Sequence, residues 1–183
     1  MRPPQPERGV RRRRARLSRR QLRRRPALIA ILGDTHMPRG SRALPEGCLR
    51  VLRSSSLIVH VGDLTASSVL GDLEGLAPVA AVRGNMDEPA LRARLPERLL
   101  VEAEGVAIGI VHDPGPVPGR HERLLGWFPA CDVVAYGHTH LPEVTQVGKA
   151  WVVSPGSPTE RRRGAFHSLA VVRDGVPELV VLD

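Results

Sequence analysis

The sequence predicts an α/β fold: two mixed β-sheets packed together with helices outside, a four-layer αββα sandwich. Three observations lead there. Over residues 27–84, short apolar runs that end at glycine alternate with stretches of helical period, the pattern of neighbouring parallel strands joined by helices. From residue 99 onward, strand-like runs outnumber helical ones. Neither an internal repeat nor a linker interrupts residues 27–183, a length that suits one domain.

The elements follow in order. Residues 27–33 read as a buried strand, apolar and closed by a glycine. In residues 44–53, Leu44, Cys48, Leu49 and Leu52 fall at helical spacing. Residues 57–61 form a second strand that ends in Gly62-Asp63. Residues 67–76 predict a helix, with Ser67 or Ser68 as its cap and Gly75 at its end. A third strand, 79–82, closes on Gly84-Asn85, and residues 99–104 and 106–111 turn at Gly105 as an antiparallel hairpin. A helix over 120–128 and a strand over 133–136 run into Gly137-His138. Strands at 143–147, 150–153, and 165–172 paired with 178–182 complete the chain.

Net charge and pI, +8 and about 11.1, suggest a nucleic-acid binder. The distribution narrows that reading. Residues 1–26 hold twelve arginines and one glutamate, whereas the rest of the chain is acidic by a net −3. The chain therefore divides into an Arg-rich extension, 1–26, expected to be disordered by self-repulsion, and one domain, 27–183. The extension predicts nonspecific polyanion binding, as a nucleic-acid arm or as an overextended start. The body has neither a basic stripe nor an aromatic ladder to support nucleic-acid recognition.

Ser18-Arg19-Arg20-Gln21-Leu22 has the look of a twin-arginine export signal. The apolar stretch after it is short, no small-residue cleavage site follows, and cleavage would remove Asp34 and His36. No apolar run approaches the ~20 residues of a membrane span, so no membrane partner is expected. Cys48 and Cys131, 83 positions apart, exclude a cysteine-ligated zinc site and give no disulfide framework. These features predict a cytoplasmic protein and leave association into a homo-oligomer open.

The chemistry lies at the strand ends. Five apolar strands run into Gly33-Asp34-Thr35-His36, Gly62-Asp63, Gly84-Asn85-Met86-Asp87, His112-Asp113 and Gly137-His138-Thr139-His140. Ligands of open α/β sheets gather beyond the carboxyl ends of strands, so the five clusters can converge. Asp34, His36, Asp63, Asn85, His112, His138 and His140 offer two carboxylates, one amide oxygen and four imidazoles. Such donors suit Mn²⁺, Fe²⁺, Ni²⁺, Zn²⁺ or Mg²⁺. Seven ligands are too many for one ion and suit two ions that share a carboxylate.

In this order, Asp-x-His, Gly-Asp, Gly-Asn-x-Asp, His and Gly-His-x-His, the sequence resembles the calcineurin-like metallophosphoesterases. It is most similar to their small, single-domain YfcE-like phosphodiesterase branch. Ser154-Pro155-Gly156-Ser157 also resembles that branch's Asn-Pro-Gly-Ser segment. The resemblance implies a phosphodiesterase with two divalent ions, Mn²⁺ first among them, a bridging hydroxide as nucleophile and a small phosphoester as substrate. It also implies that Asp34, His36 and His140 bind the first ion and Asn85, His112 and His138 the second, with Asp63 bridging. The catalytic set is then Asp63, Asn85, His112 and His138. Two divalent ions against two carboxylates and one hydroxide leave one net positive charge, which attracts a phosphate. The absence of a reactive cysteine or a Gly-x-Ser-x-Gly elbow agrees with a reaction that needs no protein nucleophile.

Two positions depart from the family pattern. Met86 stands where many of these enzymes have a histidine acid, and losing such an acid typically costs ~10²–10⁴ in rate. That favours substrates with good leaving groups. Asp113 stands where the branch often has glycine; it either orients an imidazole or repels anions. Asp87 is an indirect proton source or a support behind the ligands. Arg83 is a phosphate donor or one half of a salt bridge. His60, His121 and His167 read as structural, Arg161, Arg162 and Arg163 as a solvated loop, and Trp127 and Phe128 as core or interface anchors. Two other functions remain open: a non-catalytic scaffold on the same fold, like the retromer subunit that resembles this branch, and a nucleic-acid-associated phosphoesterase steered by the arginine tail.

Overall fold

The computed structural model describes residues 11–12 and 28–182. One sheet runs, from edge to edge, β1 (Arg11–Arg12), β5 (Arg98–Ala103), β6 (Val106–Val111), β7 (Val133–Tyr136), β9 (Ala150–Pro155) and β8 (Pro142–Val147). The other runs β11 (Val176–Leu182), β10 (His167–Arg173), β2 (Leu28–Leu32), β3 (Leu57–His60) and β4 (Val79–Ala81). Both are mixed: β2, β3 and β4 are mutually parallel, as are β6, β7 and β9; β10 on β2, β11 on β10, β5 on β6 and β8 on β9 pair antiparallel, and β1 pairs parallel with β5.

The inner strands are almost wholly apolar because both their faces are buried, with His60 of β3 and Ser154 of β9 the polar exceptions among β2, β3, β4, β6, β7 and β9. Ile29 and Ile31 of β2 point into a core shared with Ile108, Ile110, Val133 and Val153 of the facing sheet. Leu28, Ala30 and Leu32 point the other way, onto a layer that includes α1 (Glu46–Ser54) and α2 (Ser67–Glu74) through Cys48, Leu52, Leu70 and Leu73. Across the molecule, α4 (Arg120–Trp127) lays Leu124 on Val111, Val134, Tyr136 and Val152, together with Phe128 just past its end. These are the four layers expected from the sequence. Among the described residues no helix is long and apolar enough to cross a membrane, and both cysteines are buried free thiols.

Three local features differ from expectation. The cap of α2 is Ala66, without a side-chain cap bond; instead the Glu88 carboxylate accepts from Ser67 N at 2.8 Å. A short helix, α3 (Pro89–Arg94), follows Glu88, and its single buried residue, Leu91, is too little to show a period in sequence. The extension is expected to be disordered, yet Arg11 and Arg12 pair in parallel with Leu99 and Leu100. Strand pairing uses backbone groups and needs no apolar pattern. The remainder of 1–26 lies outside the described residues.

Parallel alignment decides where function sits. The carboxyl ends of β2, β3 and β4 share one edge of their sheet, as do those of β6 and β7 in the other. Bonds between the two sets of loops bring those edges together.

Candidate metal centre

All five strand-end clusters meet at this edge. Asp34 N donates to Gly62 O and His36 N to Asp63 O, each at 3.0 Å, lacing the loops after β2 and β3. His138 N donates to Asp34 Oδ2 at 3.0 Å and Ser157 Oγ to Asp34 O at 2.8 Å, which adds the loops after β7 and β9. His112 Nδ1 donates to Val61 O at 2.9 Å. Gly62 is required here: at φ +100° a β-carbon would lie 2.7 Å from His112 Nδ1.

The backbone at this site is held against its preference. Asp34, His36, Asp63, His138 and His140 have φ values of 51°, 46°, 58°, 71° and 58°. Non-glycine residues in this left-handed region cost of order 1–3 kcal/mol each and persist only where the surroundings fix them. Here the lacing bonds fix them, and the effect is to turn five donor side chains toward one point.

Two of the imidazoles are held so that a lone pair faces the centre. A carbonyl can only accept, so the bond to Val61 O places the His112 proton on Nδ1 and leaves a lone pair on Nε2. That lone pair stands 3.0 Å from another acceptor, Asn85 Oδ1, which is also 3.1 Å from His138 Nδ1. His140 repeats the pattern: Nδ1 donates to Glu160 O at 2.7 Å, and Nε2 faces His36 Nε2 at 3.2 Å and Asp34 Oδ1 at 3.5 Å. His36 Nδ1 is buried without a hydrogen-bond partner among the described residues. Asp63 Oδ2 lies between the two groups, 3.7 Å from His36 Nε2 and 3.5 Å from His112 Nε2.

Burial sets the charges. It pushes the Asp34 carboxyl well above the usual range, reinforced by the neighbouring Asp63. It drives the His36 imidazole down to about 4 and lowers those of His112 and His140. The imidazoles of His36, His112 and His140 are therefore neutral lone-pair donors at physiological pH, beside an Asp34 carboxylate whose negative charge is costly without a cation. The donor set fits divalent cations. Asp34, His36 and His140 offer atoms within 4.8 Å of one another, and so do Asp34, Asp63 and His112.

The other predicted residues are placed differently. Asp87 is buried with both oxygens engaged, Oδ1 by Thr65 N at 2.8 Å and Oδ2 by Gly84 N at 2.7 Å. It clasps two loops. Asp113 turns back on its own loop, where Oδ1 accepts from Gly115 N at 2.8 Å. Arg83 pairs with Glu97 at 2.9 Å, yet it also lines a cleft of about 550 Å³ with Asn85, Arg92, His112, Trp127 and His138. Met86, next in the chain to Asn85 of that cleft, is 39% exposed. His60 is structural: Gly62 N donates to its Nδ1 at 3.2 Å, and its Nε2 meets Thr35 Oγ1 at 3.3 Å. Sequence reasoning missed Glu160, whose carboxylate reaches 3.7 Å from His36 Nε2.

Residues 28–173 match the calcineurin-like phosphoesterase superfamily domain. The chain belongs to that family. It is 38% identical over 139 residues to a protein from Methanothermobacter thermautotrophicus named "Probable metallophosphoesterase", across 74% of this chain and 79% of that one. The fold is also that of a solved archaeal phosphodiesterase (TM-score 0.68, 22% identity, 85% of this chain and 99% of that one). Vps29 from Entamoeba histolytica complexed with zinc shares it as well (TM-score 0.67, 24% identity, 85% and 98%).

Proposed function

We propose that this protein is a metal-dependent phosphodiesterase with a dinuclear centre. The observation that carries the reading is the position of Asp63 Oδ2, between an imidazole of each donor group and 3.5–3.7 Å from both. Asp34, His36 and His140 hold the first cation, Asn85, His112 and His138 the second, and Asp63 is shared. Asp34 also lies near both groups, but its two oxygens accept from His138 N at 3.2 and 3.0 Å. Asp63 gives only Oδ1 to the backbone, accepting from Met86 N at 2.7 Å, and has Oδ2 to share.

Two divalent ions in such a site, Mn²⁺ or one of its neighbours, acidify water and stabilise the charge of a phosphoryl group. The chain supplies the rest. Val61 O holds His112 in the tautomer that presents Nε2. The exposed side chains of Asn85 and His138 form the rim, where the cleft beside them receives an ester substituent. Met86 donates no proton, so esters that leave without protonation react best. Two buried free thiols are compatible with the cytoplasm.

The test is a chelator-stripped chain assayed on chromogenic aryl phosphodiesters, with and without added Mn²⁺. Turnover should vanish on stripping and return with metal; no turnover with any divalent ion refutes the reading. The fold shared with Vps29 favours a second reading, a scaffold that binds metal and partner proteins without turnover. The complete set of seven donors favours the enzyme.

A further inference from the structure

Glu160 lies outside every motif that suggested the centre, yet its residue is tied to the first group of donors at three points. Its carbonyl accepts from His140 Nδ1 at 2.7 Å. Its N–H donates at 2.9 Å to Ser157 Oγ, which itself donates to Asp34 O. Its carboxylate Oε2 comes to 3.7 Å from His36 Nε2, the same distance at which Asp63 Oδ2 approaches that atom. We propose that Glu160 is a further ligand of the cation held by Asp34, His36 and His140.

This rests on the metal-centre reading above and extends it. Ligand bonds of about 2.0–2.2 Å place neighbouring donor atoms on one ion roughly 3 Å apart. At 3.7 Å from His36 Nε2, Oε2 stands roughly 0.7 Å beyond that spacing, which a rotation of the Glu160 side chain would have to close. The second oxygen, Oε1, is held by Arg42 Nη2 at 3.1 Å, with Arg162 Nε at 3.8 Å. Such outer partners orient a ligating carboxylate and offset its charge. The plainer account is a half-exposed salt bridge to Arg42, worth ~0–1 kcal/mol. That account uses Oε1 alone and leaves unexplained why Oε2 points at a buried imidazole nitrogen. With Glu160 added, the first cation has carboxylates from Asp34, Glu160 and the shared Asp63, and so becomes the tighter of the two sites.

The test titrates Mn²⁺ into the chelator-stripped full chain by isothermal titration calorimetry, comparing wild type with Glu160→Gln, Glu160→Asp and Arg42→Ala. Gln keeps the length and the backbone contacts, whereas Asp keeps the charge and loses the reach. Both should weaken the tighter binding step by on the order of 10–100-fold or more, the loss typical of removing even an outer partner of a ligand. The weaker step should be unchanged, and Arg42→Ala should lose less. Wild-type affinity in Glu160→Gln overturns the inference while leaving the centre intact. So does retained affinity in Glu160→Asp, which shows a distant charge effect, or an equal loss in Arg42→Ala, which shows a salt bridge. A wild-type chain that takes up no Mn²⁺ overturns both the inference and the centre.

Discussion

Replacing Gly84 with alanine tests whether the loop after β4 sets the position of Asp63. A β-carbon there would lie 2.0 Å from Asp63 Oδ1 and 2.3 Å from Asp63 N, against ordinary contact from 3.4 Å. The two segments must therefore part by about 1.4 Å, the difference between those contact distances. Nothing nearby yields easily. Gly84 N is bonded to Asp87 Oδ2 and Met86 N to Asp63 Oδ1, both at 2.7 Å. Overpacking of this kind costs about 1–3 kcal/mol, or roughly 2–12 °C in Tm for a domain of this size. A shift near 1 Å in a reacting group costs on the order of 10²-fold in rate. Gly84→Ala should then melt modestly lower by calorimetry while kcat/KM on an aryl diester falls by about two orders of magnitude. The control is Gly71→Ala, in α2 with nothing within 4 Å of the added carbon, which should gain about 0.5–1 kcal/mol and keep full activity. Wild-type kcat/KM in a folded Gly84→Ala protein refutes the reasoning.

Other outcomes follow from the same geometry. Burial holds the His60 imidazole down at about 3, so the folded state refuses a proton that the unfolded chain accepts below pH 6.5. This group's contribution is complete above pH 6.5 and is lost as pH falls toward 3, at up to about 1.4 kcal/mol per pH unit; denaturant titrations of His60→Gln should show a flatter acid slope than wild type. Without an acid at Met86, a chromogenic aryl diester should be turned over faster than an alkyl monoester, and equal rates contradict that argument. Deleting residues 1–25 removes only the two-residue pairing of Arg11 and Arg12 with β5 among described contacts. Tm and metal-dependent turnover should stay near wild type while retention on a heparin column is lost.

The fold, and the meeting of the strand-end residues at one edge, were legible because the inner strands announce themselves twice. Ile29 and Ile31 face the opposite sheet while Leu28, Ala30 and Leu32 face helices, so the run is apolar at every position. Glycine then marks where it stops. Asp34, Asp63, Asn85 and His138 directly follow such a glycine, so parallel pairing brings Asp34, Asp63 and Asn85 to one edge. What stayed hidden depends on partners distant in sequence. Glu88 caps α2 from 21 positions away, and Asp87 spends both oxygens on loop backbone instead of on ligands. Glu160 reaches His36 only because Ser157 and His140 hold its backbone there. Asp87 to Gly84 and Glu160 to Ser157 are local contacts three residues apart, but the partners that give them meaning, Thr65, His140 and His36, lie 20 or more positions away. The left-handed backbone at Asp34, His36 and Asp63 was equally invisible, since it is imposed by bonds between loops and not by glycine.

The claim on which the rest depends is that Asp63 joins two cation sites. Anomalous scattering at the manganese edge, from crystals of the metal-loaded wild type and of Asp63→Asn, tests it most directly. The wild type should show two peaks roughly 3.5–4 Å apart, one beside His36 and His140, the other beside Asn85, His112 and His138, with the Asp63 carboxylate between them. In Asp63→Asn at least one peak should disappear. A single peak in the wild type, or two undiminished peaks in Asp63→Asn, would contradict the account.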